Sequence, residues 1–547
     1  MDTSTYIFPL MLVLCIMLCM VEKLHCQNVV NIGSSQIVGH MVYTNGKPVV
    51  QFLGIPYAEP PTGPLRFKKP VPRHIFTKIY FAINHPPSCW QASEYPFPSY
   101  DSHQRNSEDC LYLNIWKPID ASQNNKKAVI YYIHGGGFRF GSISQSVYNG
   151  APLAAHGDVI VVTVNFRLGA FGFLTSGTED APGNMALYDI LEGLRWVNEN
   201  IETFGGDKSR ITIGGQGVGS ISAGLLSISP LAKGLFQRQI MESGSPAYLD
   251  ENNKEKNMYL SQKVAERLFC ANETYTLQDN PSEVVKCLRT ASAAGLTDVS
   301  ATIDPLSGVL FAPQFGGDLL PVDPRKAVLD KNMTCNQVLI GVTKDEGSFQ
   351  VAARDPETFG FNGYQNPQVN RSEGAQMILQ NFQNYPDPEA VVKQYLPSSL
   401  SNSSYNKIRE QVYTASGDAS IVCPSEYYAE KCAAEGGDVY FYVWEHRPSN
   451  SPWAPWMGVT HFSEVEFVFG LPLVHSYYFT PDELELCKST VNIWSSFAKT
   501  GKPDIPWPEY SKANPQVKYL GPGASTDQNA VGFHSDNCNF FRSYYGF

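Results

Sequence analysis

Five almost continuously apolar runs stand out along the chain: Ala128 to Ile133, Val159 to Val164, Ile211 to Ile213, Val338 to Val342 and Val439 to Val443. They are rich in β-branched residues and show no alternation with polar positions. Each therefore predicts a strand buried on both faces. The segments between them carry helical periodicity. Leu187, Leu191, Leu194, Val197 and Ile201 recur at the three- and four-residue steps that line one stripe of an amphipathic helix. Strands alternating with helices predict an α/β fold, a mostly parallel central sheet with helices on both faces. From Asp355 to Asn406 the chain is rich in Pro, Asn and Gln and predicts a surface insertion with helices rather than strands. No repeat, low-complexity tract or linker divides the sequence, so residues 27–547 are expected to form one domain.

The first apolar run, Tyr6 to Val21, is shorter than the roughly 20 residues that a membrane span needs. It reads as a signal peptide over residues 1–26, with cleavage near Cys26 and Gln27, although only Asp2 and no basic residue precedes it. No comparable run follows, so neither a membrane span nor a lipid anchor is expected. The formal net charge of -11 argues against nucleic acid as a partner. Three of the 12 cysteines, Cys15, Cys19 and Cys26, fall in the leader, which leaves an odd number in the mature chain. None forms a tight C-x-x-C pair, so no metal site and no cofactor are expected. Sequons at Asn272, Asn332, Asn370 and Asn402 are glycosylation candidates for a secreted, extracellular protein.

The candidate chemistry lies at Gly214-Gly215-Gln216-Gly217-Val218-Gly219. This is the frame of a G-x-S-x-G nucleophile elbow, the sharp strand-to-helix turn that lifts a serine hydroxyl into an active site. Glycine stands where the serine belongs. The other parts follow in the order used by α/β-hydrolases, nucleophile position, acid, histidine: Gly217, Glu346 in Lys344-Asp345-Glu346-Gly347, and His461 after Trp456-Met457-Gly458-Val459-Thr460. After the run ending at Ile133 comes His134-Gly135-Gly136-Gly137-Phe138, an oxyanion loop whose N–H groups no side chain obstructs. Ser220 and Ser222, on the helix after the elbow, are expected to point away from the histidine.

These motifs occur together with Ser107-Glu108-Asp109-Cys110-Leu111-Tyr112-Leu113-Asn114-Ile115-Trp116, Arg167-Leu168-Gly169-Ala170-Phe171-Gly172-Phe173 and Phe204-Gly205-Gly206-Asp207. The chain thereby resembles the cholinesterase and type-B carboxylesterase family, and Phe467-Val468-Phe469-Gly470-Leu471-Pro472 is closest to the acetylcholinesterases. The resemblance implies an α/β-hydrolase fold and serine carboxylic-ester hydrolase chemistry. It implies an oxyanion hole from Gly136, Gly137 and Val218, and a ligand gorge with Tyr100, Phe349, Trp453 and Gln216. It also implies disulfides Cys89–Cys110, Cys270–Cys287 and Cys423–Cys538, with Ser243 supporting the triad from behind. A further pair, Cys432–Cys487, is expected, leaving Cys335 as the odd thiol.

The departures from the family matter as much. Gly217 vacates the nucleophile position, Gln216 replaces a usual glutamate, and Val218 replaces a usual alanine. Tyr100 stands where relatives seat a quaternary ammonium on tryptophan, and a tyrosine face makes the weaker cation–π contact. Ser307 and Val309 replace acyl-pocket phenylalanines, which implies a wider pocket. The resulting expectation is a secreted acetylcholinesterase-like protein without ordinary ester hydrolysis. It would bind a small ester or quaternary ammonium ligand, or an extracellular protein, as the family's adhesion proteins and hormone precursor with non-serine elbows do. The alternative is an active carboxylic-ester hydrolase in which a water activated by His461 fills the vacancy.

Overall fold

All five apolar runs are strands, and with six others they build one 11-stranded sheet. Its strands in chain order are β1 (His40–Thr44), β2 (Lys47–Pro56), β3 (Tyr112–Pro118), β4 (Lys127–Ile133), β5 (Ile160–Val164), β6 (Gly206–Gln216), β7 (Arg238–Glu242), β8 (Gln337–Thr343), β9 (Asp438–Trp444), β10 (Gln516–Leu520) and β11 (Asn529–Val531). Across the sheet they run β11-β10-β9-β8-β7-β6-β4-β5-β3-β2-β1. From β5 through β10 every neighbouring pair is parallel, whereas β1, β2, β3 and β11 pair antiparallel at the two flanks. The computed structural model describes residues 28–73, 78–92, 105–248, 253–303, 311–361, 365–522 and 529–547. The leader, Tyr100, Ser307 and Val309 lie outside them.

The longer helices include α1 (Met185–Asn200), α2 (Val218–Ile228), α3 (Glu346–Arg354), α4 (Arg371–Asn381), α5 (Pro388–Tyr395), α6 (Tyr405–Gly417), α7 (Cys423–Ala434) and α8 (Pro481–Thr500). The stripe Leu187, Leu191, Leu194 and Val197 is buried against the sheet with Ile201, which follows α1. The stretch after Asp355 holds α4, α5 and the start of α6, and no strand among its described residues. Strand parity divides the rest of the core. Val338, Ile340, Val342, Val439, Phe441 and Val443 face one side, beneath α7. Leu339, Tyr440, Tyr442 and Trp444 face the other, beneath α8. Among the described residues no helix is long and apolar enough to cross a membrane.

The disulfides Cys89–Cys110, Cys270–Cys287 and Cys423–Cys538 are present. The fourth pair is Cys335–Cys432, so the expected Cys432–Cys487 pairing is wrong and Cys487 is the odd thiol. The reason is the sheet itself. Cys432 on α7 and Cys335 just before β8 belong to one face. Cys487 on α8 belongs to the other, where its thiol donates to Phe467 O. Proximity of helices in sequence carried no information about which face each one covers.

Candidate active site

The elbow keeps the backbone of a nucleophile turn without its side chain. At the end of β6, Gly217 adopts φ 58° and ψ -120°, and α2 begins at the next residue. Its flanking glycines have a packing reason. A Cβ at Gly215 would lie 2.3 Å from Ile133 O and one at Gly219 2.0 Å from the same atom, so only glycine lets the turn sit against the end of β4. The Gly217 N–H donates to Glu242 O at 2.8 Å, which ties the turn to β7.

The oxyanion loop leaves β4 beside it. Gly136 has φ 113°, and a Cβ there would fall 2.0 Å from Phe140 O. Gln91 braces the loop's far end, accepting from Gly141 N at 2.9 Å and donating to Gly141 O at 3.0 Å. His134 stacks on Phe166 at 4.4 Å, and burial pushes its pKa down to about 4, so it is neutral. Among the described residues the N–H groups of Gly136, Gly137 and Val218 donate no hydrogen bond.

The acid and histidine come from two further strand ends. Glu346, 2% exposed, opens α3 just past β8. Its Oε1 accepts from Thr343 N at 2.7 Å and its Oε2 accepts from His461 Nδ1 at 2.6 Å. The loop before His461 is fastened to the same place, with Asp345 Oδ2 accepting from Val459 N at 2.8 Å. A Cβ on Gly217 would lie 3.0 Å from His461 Nε2 and, its chain neighbours aside, would meet no other described residue within 4 Å. The elbow therefore aims open space at the histidine.

That histidine is already engaged. Gln216, 1% exposed, places its Nε2 2.9 Å from His461 Nε2. With Nδ1 donating to Glu346, Nε2 of a neutral imidazole carries the lone pair, so the glutamine amide donates into it. The atom that would take a hydroxyl proton in catalysis is thus occupied. The nearby serines offer no substitute. Ser220 Oγ donates to Gly244 O at 2.6 Å and Ser222 Oγ to Val218 O at 2.7 Å. Ser243, at φ 55° behind the elbow, faces Glu464 without closing a hydrogen bond.

Two features escaped the sequence reading. Behind the elbow, Glu242 holds Tyr132 Oη and Trp494 Nε1, each at 2.7 Å, while both oxygens of Glu464 lack a partner. Burial pushes the Glu242 carboxyl up to about 7. Burial, with repulsion from Glu242 and Glu346, pushes Glu464 well above its ordinary value. Glu242 directly precedes Ser243, but nothing in that run says the side chain is buried. In front of the histidine, Phe349 and Trp453 pack 5.6 Å apart and Phe361 joins them at 5.7 and 5.8 Å. The Phe349 ring lies 6.5 Å from that of His461. Phe361 sits in an irregular Gly-flanked stretch with no periodicity to flag it.

An elbow, an oxyanion loop and an acid–histidine pair at the carboxyl ends of parallel strands define an α/β-hydrolase. The chain belongs to the Carboxylesterase family, which it matches over residues 26–541. It is 37% identical to acetylcholinesterase-1 of Trittame loki over 96% of this chain and 99% of that one. It is 36% identical to the acetylcholinesterase of Bungarus fasciatus over 86% and 79%, and 33% identical to the cholinesterase of Mus musculus over 99% and 91%.

Proposed function

We propose that this cholinesterase-like protein is secreted and binds a small ligand or an extracellular protein instead of hydrolysing esters. One observation carries the reading: His461 Nε2 faces a glycine and accepts a hydrogen bond from Gln216. Loss of the serine alone costs on the order of a million-fold in turnover in a serine protease. The glutamine bond adds a second obstacle, because the base must give it up before it can take a proton. In this reading Gly136, Gly137 and Val218 receive a ligand oxygen, Phe349 and Trp453 line the ligand's side of the site, and Glu346 and His461 persist beneath it. The relatives' names point to choline esters as the ancestral ligand class. Secretion rests on the leader and on the four sequons, whose asparagines are all exposed.

The test is direct. Purified protein should give no turnover of thiocholine or naphthyl esters above a heat-denatured control, and no mass shift with a fluorophosphonate. Turnover that survives purification to homogeneity and disappears in His461→Ala would establish the alternative, hydrolysis by a histidine-activated water. The intact Glu346–His461 hydrogen bond is what keeps that alternative in play.

A further inference from the structure

We infer that the pocket at Gly217 binds a free carboxylate, the acid half of an ester, rather than an ester or an ammonium ion; the inference rests on the non-hydrolytic reading above. Three N–H donors from two adjacent elements, Gly136 and Gly137 of the loop and Val218 at the elbow, have no partner among the described residues, and the loop lies against the elbow, a Cβ at Gly135 falling 2.7 Å from Gln216 Oε1. Val218 also opens α2, whose N-terminus favours a negative charge. In a serine hydrolase the nucleophile's hydroxyl fills part of this space. Here, its chain neighbours Gln216 and Val218 aside, a Cβ built at position 217 meets only His461 within 4 Å among the described residues.

Gln216 is the second, independent observation. It is a buried polar side chain beside the vacancy, 1% exposed. A glutamate at this position could only accept hydrogen bonds and would repel an anion, whereas an amide carries two N–H bonds. One is spent on His461 Nε2. The other has no partner among the described residues and is free to donate to the second carboxylate oxygen. A carboxylate with one oxygen in the three-donor hole and the other in the vacancy then accepts charge-assisted bonds, about twice as strong as those to a neutral ester carbonyl. Phe349 beside the imidazole, with Phe361 and Trp453 packed on it, supplies an aromatic wall for the acid's apolar tail. The chain's net charge of -11 opposes an anion at long range, but salt screens such charges beyond about 8 Å. Glu346 lies behind the imidazole, on its Nδ1 side.

Calorimetry on the full secreted chain tests this with benzoate, its neutral isostere benzamide, and tetramethylammonium as a small quaternary cation. Benzoate should bind at least about tenfold more tightly than benzamide, and tetramethylammonium weakly. Gln216→Glu should weaken benzoate at least about tenfold while leaving benzamide within about threefold. Gly217→Ser should weaken benzoate by filling the space of its second oxygen. Equal affinities for benzoate and benzamide in the wild-type chain overturn the assignment, and that comparison needs no variant to fold. So does a preference for tetramethylammonium, or a benzoate affinity indifferent to Gln216→Glu in a variant that melts cooperatively. A thiocholine-ester assay on the same preparation separates the two claims. Turnover sinks the non-hydrolytic reading, whereas no turnover with poor benzoate binding sinks only the carboxylate assignment.

Discussion

The two halves of the site have fared differently. The acid–histidine half keeps both side chains and both hydrogen bonds that Glu346 accepts, from Thr343 N and from His461 Nδ1. The elbow half keeps only its backbone: the φ 58°, ψ -120° turn, the close-packed flanking glycines and the unpartnered donors. One half is preserved as chemistry and the other as geometry. The scaffold of a catalytic site is thus held by packing that does not depend on the reacting atom. Gly215 and Gly219 are required by Ile133 O whether or not position 217 carries a hydroxyl.

The sharpest way to break this contrast is to restore the missing atoms. Gly217→Ser combined with Gln216→Glu should raise thioester hydrolysis by on the order of 10⁴-fold or more over wild type, with fluorophosphonate on residue 217. Gly217→Ser alone should recover at least about tenfold less, because the Gln216 amide still occupies His461 Nε2. Adding Val218→Ala should raise turnover further if the branched side chain crowds the acyl group. A folded but inert double variant would mean that the elbow has lost more than its side chain.

A smaller effect comes from the acids behind the elbow. The Glu242 carboxyl is raised to about 7 from its ordinary 4.5. As pH rises through 4.5 the unfolded chain releases this proton while the folded chain keeps it. Stability is therefore greatest below that pH and falls until about pH 7, by at most about 3 kcal/mol for this group. Glu464 acts in the same direction. Glu242→Gln mimics the protonated carboxyl between Tyr132 and Trp494, so it should flatten this part of the profile. Urea midpoints at about pH 5 and about pH 8 measure it, and an unchanged slope would show that Glu242 is ionised in the fold. The smallest effect isolates the turn's backbone. Gly217→Ala should cost about 1 kcal/mol of stability and give no turnover, since the turn requires positive φ. A neutral result would mean that the elbow relaxes when substituted.

The sheet was legible because its central strands are buried on both faces and therefore read as unbroken apolar runs. The helix α1 was legible from its stripe, and Gly217, Glu346 and His461 from motif frames that specify local backbone. The partner of Cys432 was not. It depends on which face of the sheet a helix covers, and the alternation of Leu339 with Val338 and Ile340 assigns faces only once strand order is known. Gln216 was read as a lost charge. That its amide reaches the imidazole follows from a contact between residues 245 positions apart. The carboxyl pair behind the elbow, Glu242 and Glu464, stayed hidden for the same reason, since burial of a carboxyl is a property of tertiary packing.

In the non-hydrolytic reading, the positive φ at the elbow also gives the replacement of serine by glycine a direction. Any other residue there carries backbone strain that glycine does not. Once selection for turnover lapses, replacing that residue by glycine stabilises the fold, while the reverse change must first be tolerated as a destabilised intermediate. In that reading, with Gln216 settled on the imidazole, a single change back to serine would restore only part of a hydrolase's activity for selection to act on. The turn thus works as an evolutionary ratchet, easy to enter by one substitution and hard to leave by one.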